Sequence, residues 1–125
     1  MGKMVGIDLG TTNSVVAIVD GPQPRVLDNR DAKSQTRSIV SLKKRKSKAG
    51  TEEELLVGDV ALENWPMAPR DTIVSIKRLM GRSARDPDVE RVKEWAEYQV
   101  VPPSDGTKDS VRVLLGGKEY SPIDI

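Results

Sequence analysis

The stretch Gly6-Ile7-Asp8-Leu9-Gly10-Thr11-Thr12-Asn13-Ser14 constrains the fold more than any other part of the chain. Residues 4–9 alternate, with Val5, Ile7 and Leu9 on one side and Met4, Gly6 and Asp8 on the other, which is the period of a strand. Ser14 to Val19 is a nearly continuous apolar run, the pattern of an inner strand covered on both faces. Only Gly10-Thr11-Thr12 separates the two runs, so they are predicted to pair antiparallel through that turn. Val5, Ile7 and Leu9 are expected to face the core.

Downstream, Asp20-Gly21-Pro22 reads as a second turn and Arg25 to Leu27 as a returning strand, followed by a polar, irregular stretch from Asn29 to Thr36. Ser38 to Leu42 reads as a strand. The basic cluster Lys43 to Lys48, with Glu52 to Glu54 behind it, reads as a solvated loop leading to a short strand, Leu55 to Gly58. Asp59 to Trp65 is predicted as a short helix ended by Pro66 and Pro69. Asp71 is placed to cap a helix over Thr72 to Met80, with Gly81 at its end. On the wheel of that helix Ile73, Val74, Ile76, Leu79 and Met80 form an apolar arc. Lys77 falls inside the arc and Arg78 outside it. A lysine so placed either packs its stem and lifts its ammonium to solvent, or aims the cation into a cleft.

Asp86-Pro87 starts a further helix to about Glu97, with Val89, Val92, Trp95 and Ala96 on one side. Tyr98 to Val101, Ser110 to Leu115 and Lys118 to Tyr120 read as a three-strand meander, turning at Ser104-Asp105-Gly106-Thr107 and at Gly116-Gly117. Ser121-Pro122 is a helix start followed only by Ile123, Asp124 and Ile125, which reads as a truncated chain.

Composition narrows the chemistry. The chain has 125 residues, no Cys and no His, so disulfides, thiolate chemistry, Cys or His metal ligands and a histidine base are excluded. Any reaction must use carboxylates, lysine, hydroxyls or a bound metal ion. Lys plus Arg total 20 against 19 Asp plus Glu, a balance that gives no argument for nucleic acid or an anionic membrane as partner. No apolar run approaches the roughly 18 residues of a membrane span, and no secretory leader pattern opens the chain, so a cytoplasmic protein is expected.

A turn of this kind points several backbone N–H groups at one spot, and such a nest binds anions. Asp8 beside it would repel a phosphate unless a divalent cation lay between them. Magnesium is commonly shared between carboxylates and phosphates while keeping several waters. Asp8 with the Gly10-Thr11-Thr12 backbone therefore suggests binding of a magnesium–nucleotide; the alternative is an ordinary hairpin whose Gly and Thr suit the turn. Neither G-x-x-x-x-G-K-[ST] nor G-x-G-x-x-G occurs in the chain.

The same nonapeptide resembles the first phosphate loop of the superfamily of actin, sugar kinases and heat-shock chaperones. Four later stretches resemble one branch, the seventy-kilodalton heat-shock (DnaK-type chaperone) family. They are Leu56-Val57-Gly58-Asp59-Val60-Ala61, Thr72-Ile73-Val74-Ser75-Ile76-Lys77-Arg78-Leu79-Met80-Gly81-Arg82, Asp86-Pro87-Asp88-Val89 and Gly116-Gly117-Lys118-Glu119-Tyr120-Ser121-Pro122. The resemblance runs in order over residues 4–125. It implies a mixed α/β (α+β) chain with the actin-like, ribonuclease-H-like ATPase fold. Residues 4–37 would form the first part of the core sheet, 38–120 a smaller α+β subdomain, and 121–125 the start of a helix.

Residue by residue, the resemblance implies that Gly10, Thr11 and Thr12 contact the phosphates of ATP or ADP. Asn13 would line the same loop, and Asp8 would hold Mg²⁺ through its waters. Lys77 would reach into the cleft to stabilise the attacking water and the γ-phosphate. It implies a parent ATPase and chaperone whose partners are unfolded polypeptides, a J-domain co-chaperone, a nucleotide-exchange factor and the rest of its own nucleotide-binding domain. The 125-residue chain alone is expected to be inactive. Thr36-Arg37-Ser38 departs from the family's usual Thr-Pro-Ser, so that approach to the strand is expected to be looser. Lys43 to Glu54 is longer and more charged than usual. A small-metabolite kinase of the same superfamily and a non-catalytic interaction module are the alternatives.

Overall fold

A computed structural model describes residues 2–125. The chain folds as three antiparallel sheets joined by two short helices and several 3₁₀ turns, a mixed α/β architecture. The first sheet holds β1 (Val5–Leu9), β2 (Asn13–Val19) and β3 (Pro24–Val26) in that order, with β4 (Thr36–Arg37) also paired to β2. The β1–β2 hairpin pairs antiparallel as predicted, in a register from Val5 opposite Ile18 to Leu9 opposite Ser14. Its predicted core side, however, is open. Val5, Ile7 and Leu9 are 57%, 71% and 44% exposed, because β1 is an edge strand and no residue of this sheet is fully buried. Alternation located the two faces of the strand; it could not say that neither is covered.

The core lies in residues 39–115, around the second sheet: β5 (Ile39–Ser47) between β6 (Gly50–Val57) and β7 (Thr72–Val74). The supposed loop at Lys43–Lys48 is in fact the outer half of β5, up to Ser47, with Lys48 in the turn that follows. Lys43, Lys44 and Arg45 stand opposite Glu54, Glu53 and Glu52, so the two charge runs neutralise each other across a long hairpin. At its inner end Ile39, Val40, Ser41 and Leu42 are all buried. The buried Ser41 hydroxyl is satisfied by the Thr72 hydroxyl at 2.7 Å and by Asn64 Nδ2 at 2.8 Å, and Thr72 Oγ1 donates to the Ala68 carbonyl at 2.7 Å. That network fixes α1 (Asp59–Asn64) and its 3₁₀ extension, where Pro66 stops the helix, against the sheet.

The predicted helix over Thr72–Met80 is not formed. Thr72, Ile73 and Val74 are β-branched and pair with Ser41, Val40 and Ile39 as β7. Ser75 then takes a left-handed conformation (φ 55°), and Ile76–Leu79 make a 3₁₀ turn. With about three residues per turn, positions i and i+3 eclipse. Ile76 and Leu79 are accordingly buried while Lys77 and Arg78 are exposed. The apolar arc containing Lys77 came from applying the α-helical period to a strand and a 3₁₀ turn. Asp71 caps nothing there; its Oδ1 accepts the Gly116 N–H at 2.8 Å and pins the last hairpin to the second sheet.

The second helix, α2 (Pro87–Trp95), starts where predicted: the Asp86 carboxylate accepts the Asp88 N–H at 2.8 Å, with Pro87 in the first turn. Val89 and Val92 are buried, but Trp95 is 48% exposed. At about 100° per residue, Trp95 lies roughly 120° around the helix from Val89, past the edge of the buried stripe. The meander is present as β8 (Val100–Val101), β9 (Arg112–Leu115) and β10 (Lys118–Tyr120), with β9 central. Gly116 and Gly117 take φ of 60° and 78°, the left-handed pair a two-residue hairpin turn requires. The Tyr98 hydroxyl, buried under this layer, donates to the Val74 carbonyl at 2.7 Å. After β10, the Ser121 N–H and hydroxyl both donate to Asp124 Oδ2, and the chain makes one turn.

Candidate functional site

The β1–β2 turn is held in a fixed shape by hydrogen bonds that use its carbonyls. Gly10 N–H donates to the Asn13 carbonyl at 3.0 Å. A Cβ on Gly10 would lie 2.2 Å from that carbonyl oxygen, so glycine is required by close approach of the backbone. Ser38 reaches in from the junction of β4 and β5. Its hydroxyl donates to the Gly10 carbonyl at 2.8 Å, and its N–H donates to the Thr12 carbonyl at 2.9 Å.

With those carbonyls occupied, the turn presents donors. Among the described residues, the backbone N–H groups of Thr11 and Thr12 and both threonine hydroxyls have no partner within the chain. Thr12 is exposed, while Gly10, Thr11 and Asn13 are half-buried. Asp8, one residue before the end of β1, is exposed, and its carboxylate makes no hydrogen bond or ion pair among the described residues. Asn13 faces Arg37 across the β2–β4 pairing and lines a shallow cleft with Lys33, Gln35, Arg37 and Asp59.

Lys77 is connected to the turn only through the strand register. Ser38 bonds the turn, its neighbour Ile39 is opposite Val74, and Lys77 follows Val74 by three residues on the 3₁₀ turn. Its ammonium is exposed and unpaired among the described residues, and no bond joins it to Asp8 or to the turn. The structure therefore groups Asp8, Gly10, Thr11, Thr12 and Asn13 on one hairpin, while Lys77 lies on a separate segment, the 3₁₀ turn after β7.

Two contributors were not legible as site residues in the sequence. One is Ser38. The other is Asp59, which the Lys33 ammonium hydrogen-bonds and Arg37 Nε reaches at 3.1 Å. Lys33, then Arg37, hold its carboxyl below the usual carboxylate range, and Asp59 raises Lys33 in return. Asp59 thus ties β4, which pairs with the turn-bearing β2, to the start of α1. Asn29 closes the intervening loop. Its Oδ1 accepts the N–H groups of Asp31 and Lys33, and its Nδ2 donates to Thr36 Oγ1. The Thr36-Arg37-Ser38 approach is consequently pinned rather than loose. A polar residue whose partners lie more than twenty positions away in sequence leaves no local signature.

Chemically, the free N–H and hydroxyl donors of Thr11 and Thr12 suit the oxygens of a phosphate. Asp8 offers an oxygen ligand that the protein has not already used. Among the described residues there is no group of three or more potential metal-ligating side chains. A divalent ion here would have Asp8 and little else from the chain. That suits a hard cation which keeps its waters and is shared with a phosphate, as magnesium is. No helix among the described residues is long and apolar enough to cross a membrane.

Comparison with known proteins adds one finding. The family model described as Hsp70 protein matches residues 4–125, essentially the whole chain.

Proposed function

Because the chain belongs to the Hsp70 family, we propose that it forms part of the nucleotide-binding domain of an ATP-dependent chaperone, with the β1–β2 turn as its first phosphate loop. The family uses ATP or ADP with Mg²⁺ and works with client polypeptides and co-chaperones. The observation that carries the reading is the pair of unpartnered N–H groups at Thr11 and Thr12 beside an unpaired Asp8. Thr11 and Thr12 bind the phosphate oxygens, and Gly10 lets the backbone approach them. Asn13 holds the turn closed through its carbonyl. Asp8 would hold the metal ion, which would supply positive charge against the phosphate oxygens. Lys77 supplies a second positive charge from the neighbouring segment and orients the attacking water; positioning and charge stabilisation are the main work of phosphoryl transfer.

In this reading residues 4–37 belong to the core sheet of an actin-like lobe, 38–120 to a smaller subdomain, and 121–125 open a helix. The grouping of strands into a first sheet and a separate core built from residue 39 onward supports that division. The parent couples ATP hydrolysis to binding and release of unfolded polypeptides, assisted by a J-domain co-chaperone and a nucleotide-exchange factor, in the cytoplasm.

The loop lies on an open surface, with β1 exposed along its length. The 125-residue chain by itself therefore holds Mg-ATP only weakly, on the order of 1 mM, and cannot exclude water from the phosphates. Calorimetric titration with Mg-ATP tests this: weak, magnesium-dependent binding lost on Thr12→Pro is the expected result. Tight binding with rapid turnover, unaffected by Lys77→Ala, contradicts it.

A further inference from the structure

We infer that Ser38, driven by Ser14, is the positioning residue that sets the phosphate loop, a role resting on the nucleotide-binding reading above. Ser38 touches the turn at two points on either side of Thr11: its hydroxyl donates to the Gly10 carbonyl at 2.8 Å and its N–H donates to the Thr12 carbonyl at 2.9 Å. The Ser38 and Ser14 hydroxyl oxygens lie 2.9 Å apart. A carbonyl can only accept, and a hydroxyl has a single proton. Because the Ser38 proton goes to Gly10, the proton between the two serines comes from Ser14. The direction is fixed: the Ser14 hydroxyl donates to Ser38 Oγ, and the Ser38 hydroxyl donates to the Gly10 carbonyl. Each bond in such a chain polarises the next.

The consequence is electrostatic as well as geometric. A loop that binds an anion must turn its N–H groups outward and keep its carbonyl oxygens away. Ser38 draws back the carbonyls on both sides of Thr11, and Gly10 N–H occupies that of Asn13. Ser38 also sits between β4 of the first sheet and β5 of the second, and Ile39 beside it pairs with Val74 at the head of the Lys77 segment. A single residue therefore holds the loop from the junction between the two sheets. Ser38 does not touch the phosphates; it acts through the backbone of Gly10 and Thr12.

The test compares the wild-type chain with Ser38→Ala, Ser38→Thr, Ser14→Ala and the Ser14→Ala/Ser38→Ala double variant, by amide hydrogen exchange without ligand and by NMR titration with Mg-ATP. Ser38→Ala is expected to speed exchange of the Gly10 amide about tenfold and to weaken Mg-ATP binding by a similar factor, with core amides such as that of Val113 unchanged. Ser38→Thr restores both, Ser14→Ala has a smaller effect, and the double variant is no worse than Ser38→Ala. Wild-type Gly10 exchange in Ser38→Ala overturns the proposal, as does a uniform rise at all amides. So does additivity in the double variant, which would mean the two hydroxyls act separately. If wild-type chain binds no Mg-ATP yet Ser38→Ala still speeds Gly10 exchange, the nucleotide reading fails and the serine lock stands.

Discussion

Replacing Gly10 by alanine tests the shape of the loop without touching a charge. The added Cβ would lie 2.2 Å from the Asn13 carbonyl oxygen, a backbone atom that cannot swing aside. Relief to an ordinary carbon–oxygen contact needs a separation of roughly 1 Å or more. The hydrogen bond in the way is Gly10 N–H to Asn13 O at 3.0 Å, which such a shift breaks. Its loss removes about 1 kcal/mol. Distortion of the flanking angles and of the Ser38 contact adds a similar amount. The expected destabilisation is about 2 kcal/mol, near a thirtyfold fall in the folding constant. Gly6 supplies the control: it lies in β1, which leads into the turn, its Cβ would meet nothing within 4 Å, and its φ is not positive. Gly6→Ala should be neutral or slightly stabilising, because it restricts the unfolded chain. Urea unfolding followed by circular dichroism measures both. Equal midpoints for Gly10→Ala and Gly6→Ala would refute the account of the turn.

Further outcomes follow from the same contacts. Tyr98→Phe removes the buried hydroxyl that bonds the Val74 carbonyl and should cost about 1–2 kcal/mol by the same unfolding assay. Ile73→Ala, at a side chain only 1% exposed, should cost about 2–5 kcal/mol, whereas Lys77→Ala, exposed and unpaired, should stay within about 0.5 kcal/mol while weakening Mg-ATP binding. Asp59, Asp86, Asp105, Glu119 and Asp124 all have carboxyls held below their ordinary range: Asp59 by Lys33, Asp86 by the Asp88 N–H, and the others by neighbouring Thr or Ser donors. Lower folded values mean that the unfolded chain binds more protons, so this stabilisation is complete above the usual carboxylate pKa of about 4 and is lost as pH falls through the folded values. Urea midpoints measured across the acid range should fall monotonically, and Asp86→Asn should flatten part of that fall.

Local chemistry made some elements legible. The Gly10-Thr11-Thr12 turn, the Asp86-Pro87 helix start and the Gly116-Gly117 hairpin each depend on residues adjacent in sequence, and each lies where the sequence places it. The apolar spacing of Thr72–Met80 satisfies an α-helical wheel, although three successive β-branched residues at its head favour the strand that forms. The same wheel puts Lys77 on the apolar arc. It is exposed, because the 3₁₀ turn buries Ile76 and Leu79 and leaves Lys77 and Arg78 outside.

Other misses came from pairings distant in sequence. Lys43–Arg45 and Glu52–Glu54 look like solvated loop until they are set opposite each other. The exposed face of β1 illustrates a different limit: periodicity reports which residues share a side, and burial depends on what packs there. At the site, Asp8, Gly10, Thr11 and Thr12 could be singled out from the turn alone. Ser38 and Asp59 could not, because they act across gaps of 28 and 22 residues.

The central claim, that the β1–β2 turn is a phosphate loop, is tested most directly by following backbone amide resonances of the 125-residue chain during titration with Mg-ATP. The account predicts saturable shifts centred on Thr11 and Thr12, spreading to Asp8, Asn13 and the Lys77 segment, and much smaller shifts when magnesium is withheld. Unchanged Thr11 and Thr12 resonances at saturating Mg-ATP, or shifts centred instead on the cleft between residues 29–31 and 54–60, would contradict it.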